Sequence, residues 1–347
     1  MKYKLLSISK DILGVNIGDY IQALASSQFY PHIDGFIERD ELRLYRGEKC
    51  MMIMNGWYMA KPENWPPSNN INPLFVAFHI NSKAKDKMLS AESIRYLKKY
   101  EPIGCRDTYT ANLLKEHGIN AYFSGCMTLT LGEKYHNETH GDKAFFVDPY
   151  FTTYWNIQNK IKGVLYLLLH FLPILKIARK YPENKSLFRK CMILTGFYRE
   201  YSRFFSKDIL INAEYICQQD SHYKSEFPNN EALLKEAERL VKEYAKARPV
   251  ITSRIHCALP CLGLGTPVIY TENSQQSEAS ACRFGGLKDL FNVFSWDNGK
   301  LKCCFNWNIK ISRFSEIPQN KDSWEVLAKA LIARCKCFVR QDGDDKK

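Results

Sequence analysis

No G-x-x-x-x-G-K-[ST] loop, no G-x-S-x-G elbow and no H-E-x-x-H helix occurs in this chain. Those absences remove Walker-type nucleotide hydrolysis, elbow-type serine hydrolysis and zincin chemistry from consideration. No D-x-D pair flanks a strand, so a metal-dependent sugar-nucleotide site of that kind has no ligands. The twelve cysteines form no pair of C-x-x-C knuckles: Cys303 and Cys304 are adjacent, and Cys335 and Cys337 are one residue apart. That spacing speaks against a structural zinc site. No uninterrupted apolar run reaches the roughly 20 residues of a spanning helix, and no repeat of solenoid period is visible. Met1-Lys2-Tyr3-Lys4 leads into a short apolar strand rather than a secretory segment. A cytoplasmic protein is therefore expected, with Cys105, Cys126, Cys191, Cys257 and Cys261 as reduced core cysteines.

At 347 residues the chain fits two domains of ordinary size. Its 49 Lys and Arg exceed its 37 Asp and Glu by 12, which favours an anionic partner. Strand-like and helix-like segments alternate. Residues 2–9, 50–55, 74–80, a stretch ending near Cys105, and 120–125 read as strands; 61–73 reads as a loop. Helices are expected from Asp19 to about Phe29, at 90–100 with Ser90 as N-cap, and at 108–118 closed by Gly118. The second half repeats the pattern, with strands at 144–148, 208–213, "PVIT" and "PVIY" and helices at 230–247 and "CALPCLGLG". Such alternation signals parallel, doubly wound α/β sheets. The polar stretch 133–143 supplies the boundary, giving domains 1–138 and 139–347. An apolar insertion at about 155–207 breaks the pattern. Its core, 160–180, is flanked by basic residues and interrupted by His170 and Pro173. It suits a buried or lid-like element, docking on a membrane face, or a transmembrane span.

In open α/β sheets ligands sit beyond the carboxyl ends of the strands. Four stretches put polar or cationic groups there. "GVNIGDY" (14–20) carries Asn16, Gly18 and Asp19 into a helix start, with a plain helix cap by Asp19 as the alternative. "GCRDTYT" places Arg106 at a strand end and Asp107 at a helix start, where the two could simply pair. "SGCMTLTL" (124–131) offers small and hydroxyl residues, suited to a ligand or to a tight interdomain turn. "TSRIHCALPCLGLGTPVIY" contains Ser253, Arg254 and His256. An extended backbone would put the last two on one side, roughly 6–7 Å apart. A guanidinium can hold a carboxylate or phosphate bidentately, and an imidazole can move a proton near neutral pH. Arg283, before a Gly-Gly turn, is a second possible phosphate arm.

Taken together and in order, "NIGDYIQALA", "FIERDEL", "GCRDTYTANLLKEHGINAYFSGCMTLTL", "VITSRIHCALPCLGLGTPVIY" and "RFGGLKDL" resemble the polysaccharide pyruvyl transferase family. The resemblance leaves out about 150–207. It implies two Rossmann-like domains facing a cleft, as in GT-B glycosyltransferases. It further implies transfer of an enolpyruvyl unit from phosphoenolpyruvate to two hydroxyls of a sugar in a capsular or exopolysaccharide repeat unit, giving a pyruvate ketal and phosphate. Arg254 matches the family's donor-binding arginine and His256 its proposed general acid. Ser253, Arg106 and Arg283 are further donor contacts, and Asn16, Gly18 and Asp19 would meet the acceptor. No cofactor or metal is expected beyond phosphoenolpyruvate as co-substrate, because arginines can supply the electrostatic stabilisation. A GT-B glycosyltransferase using a nucleotide sugar is the alternative. Nucleic-acid binding is not expected, since the Lys and Arg residues are dispersed and no binding module is present.

Overall fold

A computed structural model describes residues 1–8, 14–58, 60–139, 141–152, 160–275, 277, 281–307 and 309–344. In the first half every strand pair is parallel. β1 (Lys2–Tyr3) lies on β4 (Cys50–Ile53), which lies on β5 (Ile71–Leu74). β2 (Leu5–Ser7) pairs β3 (Phe36–Glu38), and β6 (Ile103–Cys105) pairs β7 (Ala121–Phe123). Backbone bonds from Gly104 to Phe75 and from Phe78 to Gly104 join the β5 side to β6. In the second half one six-stranded sheet runs in the order β13-β12-β11-β10-β8-β9. Its strands are β8 (Phe145–Val147), β9 (Glu214–Ile216), β10 (Val250–Thr252), β11 (Val268–Asn273), β12 (Asn292–Asp297) and β13 (Lys300–Cys303), all parallel except β13 against β12.

The longer helices are α1 (Ile17–Ser27), α2 (Ala91–Lys98), α3 (Thr108–Glu116), α4 (Lys160–Leu169), α5 (Phe171–Lys180), α6 (Leu187–Tyr201), α7 (Asn230–Lys246), α8 (Ile255–Gly263) and α9 (Trp324–Asp344). Side-chain caps define their starts as the sequence suggests: the Ser90 hydroxyl accepts from Ser93 N–H, and the Asn229 amide oxygen from Ala232 N–H. Leu233, Ala237, Leu240, Val241 and Tyr244 bury the inner stripe of α7, whereas Ala232 stays only partly covered. That stripe belongs to a core which also holds Ile17, Tyr20 and Leu24 of α1. The two halves therefore share apolar packing. α9 returns to the first half, where Cys335 meets Met127 and Arg334 donates to the Pro102 carbonyl.

Three expected elements differ. Residues 74–80 are not one strand, because Ala77 sits in the left-handed region (φ 52) and breaks the run; Phe78 and His79 form only isolated bridges. The loop at 61–73 contains a 3-10 turn and the start of β5. Pro73 is tolerated there because β5 is the edge of its three strands and the missing N–H breaks no essential bond. Residues 207–212 are a helix instead of a strand, capped by Ser206 on Ile209 N–H. A short apolar run has no period long enough to distinguish the two, and burial of Ile209 and Leu210 suits either. None of the twelve cysteines forms a disulfide, and the five expected in the core are buried.

Candidate active site

The functional side chains are delivered by strand ends. Arg39 follows β3, Arg106 follows β6, Asp148 follows β8, Gln218 follows β9, and Arg254 follows β10. All therefore lie on the carboxyl side of parallel strands.

His256 stands in the first turn of α8 with a non-helical backbone (φ −84, ψ 18). Its carbonyl accepts from Gln218 Nε2 at 3.3 Å, which holds that conformation. Gln22 Nε2 of α1 lies 3.4 Å from its Nδ1. Gly18 explains how α1 comes this close: a Cβ there would stand 3.1 Å from the His256 Cβ. Asn16 and Asp19 divide the work differently from the expected cap. Asn16 Oδ1 accepts from Gly18 N–H at 3.0 Å and is the N-cap of α1. Asp19 instead accepts from Gln22 Nε2 at 3.1 Å and from Arg39 at 3.3 Å. Asp19, Gln22, Arg39 and Asn55 line a small cavity of about 20 Å³.

The cations around His256 come from both halves. Burial, then Arg106, Arg283 and Arg39 in that order, hold its pKa well below the ordinary 6.5. Arg254 is not among them. Its Nε donates to Asp148 Oδ2 at 2.8 Å and its side chain is 35% exposed. Ser253 Oγ donates to the Asp148 carbonyl at 2.6 Å, so one residue anchors both. Asp148 does this from a left-handed backbone (φ 42), with its carboxylate also accepting from Gln218 N–H. Arg254 and His256 thus share a turn but serve different neighbours. The cations that act on His256 are Arg106, Arg283 and Arg39 rather than the Arg254 expected beside it.

Arg106 is 1% exposed, and its Nε and Nη1 meet no partner. The pairing of Arg106 with Asp107 does not form. Asp107 caps α3 through Thr110 N–H (2.8 Å) and holds His79 Nδ1 at 2.6 Å. Arg283 reaches the cluster because its Gly-Gly turn packs on α3, where Thr108 N–H donates to the Gly285 carbonyl and Gly286 takes φ 77. A Cβ on Gly285 would come within 2.4 Å of Thr108 Oγ1. The stretch 124–131 takes the other role weighed for it. Met127–Leu131 is a fully buried turn against α8, so close that a Cβ on Gly263 would stand 2.3 Å from the Leu129 carbonyl.

Two residues of this cluster have no forerunner in the sequence reading. Arg39, inside the family segment "FIERDEL" but given no role there, lies 4.8 Å over the Trp57 ring, which Arg283 approaches at 5.7 Å. His79 is fully buried, and its pKa falls to about 4 through burial, Arg106 and Arg283, against the opposing pull of Asp107. With Nδ1–H given to Asp107, the neutral ring presents Nε2 as an acceptor, and that atom has no partner. The signal that could have exposed it is a histidine inside an otherwise wholly apolar run. Buried polar atoms without a hydrogen-bond partner are rare, yet Arg39 Nε (3.7 Å from Asp40 Oδ2), His79 Nε2, Arg106 Nε and Nη1, His256 Nε2 and Arg283 Nε all belong here. Four of these six atoms are guanidinium nitrogens, so the complement they lack is an oxygen-rich anion. Among the described residues no group of three His, Cys, Asp or Glu side chains could hold a metal ion.

The chain is thus a mixed α/β protein of largely parallel sheets with an arginine-rich, imidazole-bearing cluster between its halves, an arrangement suited to an anionic ligand. Residues 16–275, about three quarters of the chain, match the polysaccharide pyruvyl transferase family. The chain belongs to that family, whose activity is pyruvyl ketal transfer onto polysaccharide sugars. No curated protein and no solved structure gives a significant match.

Proposed function

We propose that the pyruvyl donor is phosphoenolpyruvate, bound between Arg106, Arg283 and Arg39, with Arg254 and Ser253 at the rim and the acceptor sugar beside Asn16, Gly18 and Asp19. The supporting observation is the set of buried guanidinium nitrogens without partners around His256. A carboxylate and a phosphate on one small molecule satisfy several of them at once. One acceptor hydroxyl attacks C2 and loses its proton while C3 takes a proton from His256. The second hydroxyl then attacks C2, its proton leaves, and the C2–O bond to phosphate breaks. The products are a cyclic ketal and inorganic phosphate. In the empty cleft His256 is neutral and cannot act as the acid. Donor charges offset the three guanidiniums, raise its pKa and load the proton only when C3 is present to receive it. His79, held by Asp107, accepts a hydroxyl of phosphate or sugar at Nε2.

In this reading the halves 1–138 and 139–347 are two Rossmann-like domains of GT-B type around that cleft. The acceptor is a capsular or exopolysaccharide repeat unit on a lipid carrier. The protein works in the cytoplasm at the inner face of the plasma membrane, touching it through 160–180. The test of the donor is thermal stabilisation by phosphoenolpyruvate against a panel of nucleotide sugars. A shift with phosphoenolpyruvate alone supports the reading; a shift with a nucleotide sugar alone replaces it with glycosyl transfer.

A further inference from the structure

Helix α4 is built the wrong way round for a soluble protein. Gly163 and Leu167 face inward, with Tyr166 and His170 half-covered beside α6; His170 stacks near Tyr198. The outward stripe is the more apolar one. Ile161, Leu165, Leu168 and Leu169 are 78%, 55%, 67% and 80% exposed, and Phe171 and Leu172 continue it past the bend. Positions 161, 165 and 168 follow the helical 3–4 spacing and form one ridge on α4, and Leu172 is exposed beyond the bend. Nine of the fourteen large exposed hydrophobic residues among the described residues lie between 161 and 188. Singly exposed leucines are ordinary, but a ridge of this length is not.

Charge and geometry identify what covers it. From Lys160 to Pro182 there are five Lys or Arg and no Asp or Glu. Lys162, Lys176, Arg179 and Lys180 are exposed. An apolar protein partner would require no such one-sided charge, whereas an anionic leaflet attracts each cation near its surface. No described helix is long and apolar enough to cross a membrane, and α4 and α5 meet at 86° around His170. Meanwhile Ile174, Ile177 and Ala178 of α5 are buried in the core of the second-half sheet with Phe146 and Phe197. The pair therefore cannot straighten without exposing that core, and α4 is held as a surface element of ten residues.

We infer that the outward ridge of α4, continued by Phe171 and Leu172, inserts into the interfacial layer of an anionic lipid bilayer while α5 stays packed on the protein. This turns the membrane contact proposed above from a segment into a defined face; its use in catalysis rests on a lipid-carried acceptor, but its binding does not. The test is co-sedimentation of the full chain with phosphatidylcholine vesicles, with and without phosphatidylglycerol. Wild type is expected to partition about tenfold more strongly to the anionic vesicles, less so at high salt. The triple variant Leu165→Gln, Leu168→Gln, Leu172→Gln should lose that partition, and Lys176→Glu with Arg179→Glu should lose the preference for anionic lipid. Thermal shift by phosphoenolpyruvate reports folding and the donor site separately in each variant. Partition unchanged in both variants overturns the inference. So does a wild-type dimer in light scattering that the triple variant converts to monomer, because a second copy would then be the occupant. Lost partition with an intact phosphoenolpyruvate shift supports it, and an absent shift in wild type removes the donor reading while leaving the docking result standing.

Discussion

Arg106 and Arg254 both follow a parallel strand, and both were candidates to hold an anion, yet the fold treats them oppositely. Arg254 is a third exposed and finds a carboxylate, Asp148, at 2.8 Å. Arg106 is buried with Nε and Nη1 unmatched, beside a second guanidinium, Arg283. Burial and the Arg106 charge push the Arg283 pKa down, because the two cations repel each other. A paired, partly solvated cation costs little to keep and contributes orientation. Two unmatched buried cations are costly until an anion arrives. Under the proposed function, the buried pair would meet the donor's charge and the rim arginine would align it.

The largest expected effect tests the residue between them. His256→Ala should lower kcat by about 10²–10⁴-fold, the usual range for a lost acid, without unfolding the protein; unchanged turnover with a purified acceptor would remove His256 from the mechanism. Arg106→Met should lower kcat/KM by about 10²-fold or more and abolish the thermal shift by phosphoenolpyruvate. The same variant should raise the Tm of the empty protein, since it removes an unmatched buried charge. A lower Tm would mean that Arg106 is structural, and the contrast with Arg254 would collapse. Arg254→Lys should raise the donor KM about tenfold and leave kcat nearly unchanged, because a point charge cannot reproduce the guanidinium fork. An equal KM would place Arg254 outside the donor site.

The smallest effect is on pH. His79 and His256 have folded pKa values below the unfolded value near 6.5, His79 at about 4. The unfolded chain therefore binds more protons in that window. Their contribution is fully present above pH 6.5 and is lost as pH falls toward 4. Tm should decline over that range, and less so with phosphoenolpyruvate bound. Donor binding near neutral pH should also take up a proton, measurable by calorimetry in buffers of different ionisation enthalpy. No uptake would contradict donor-driven protonation of His256.

Much of the scaffold was legible because it depends on neighbours in sequence. β6, α3 and β7 follow in the order read, and Gly118 ends the helix with φ 67. Where the local signal was short, it misled: 208–213 read as a strand and folds as a helix, and the apolar run at 74–80 is broken at Ala77. His79 was hidden by that same run, since its role depends on Asp107, 28 residues away. The role of Gly18 as a spacer for His256 was equally invisible, because the atoms it admits lie on another strand–helix unit.

By itself the sequence determined that cations and an imidazole would stand at the carboxyl ends of parallel strands, and that 160–180 would be apolar, basic and free of acids. Backbone period and strand-to-helix order are local properties, so local residues suffice to set them. The tertiary structure alone decided which arginine met a carboxylate and which was left waiting. It also decided that the apolar ridge of α4 would point outward and that an 86° bend would separate it from α5. Those outcomes rest on distances between groups far apart in the chain, Asp148 with Arg254 and Arg106 with Arg283 among them, and only packing brings such groups together.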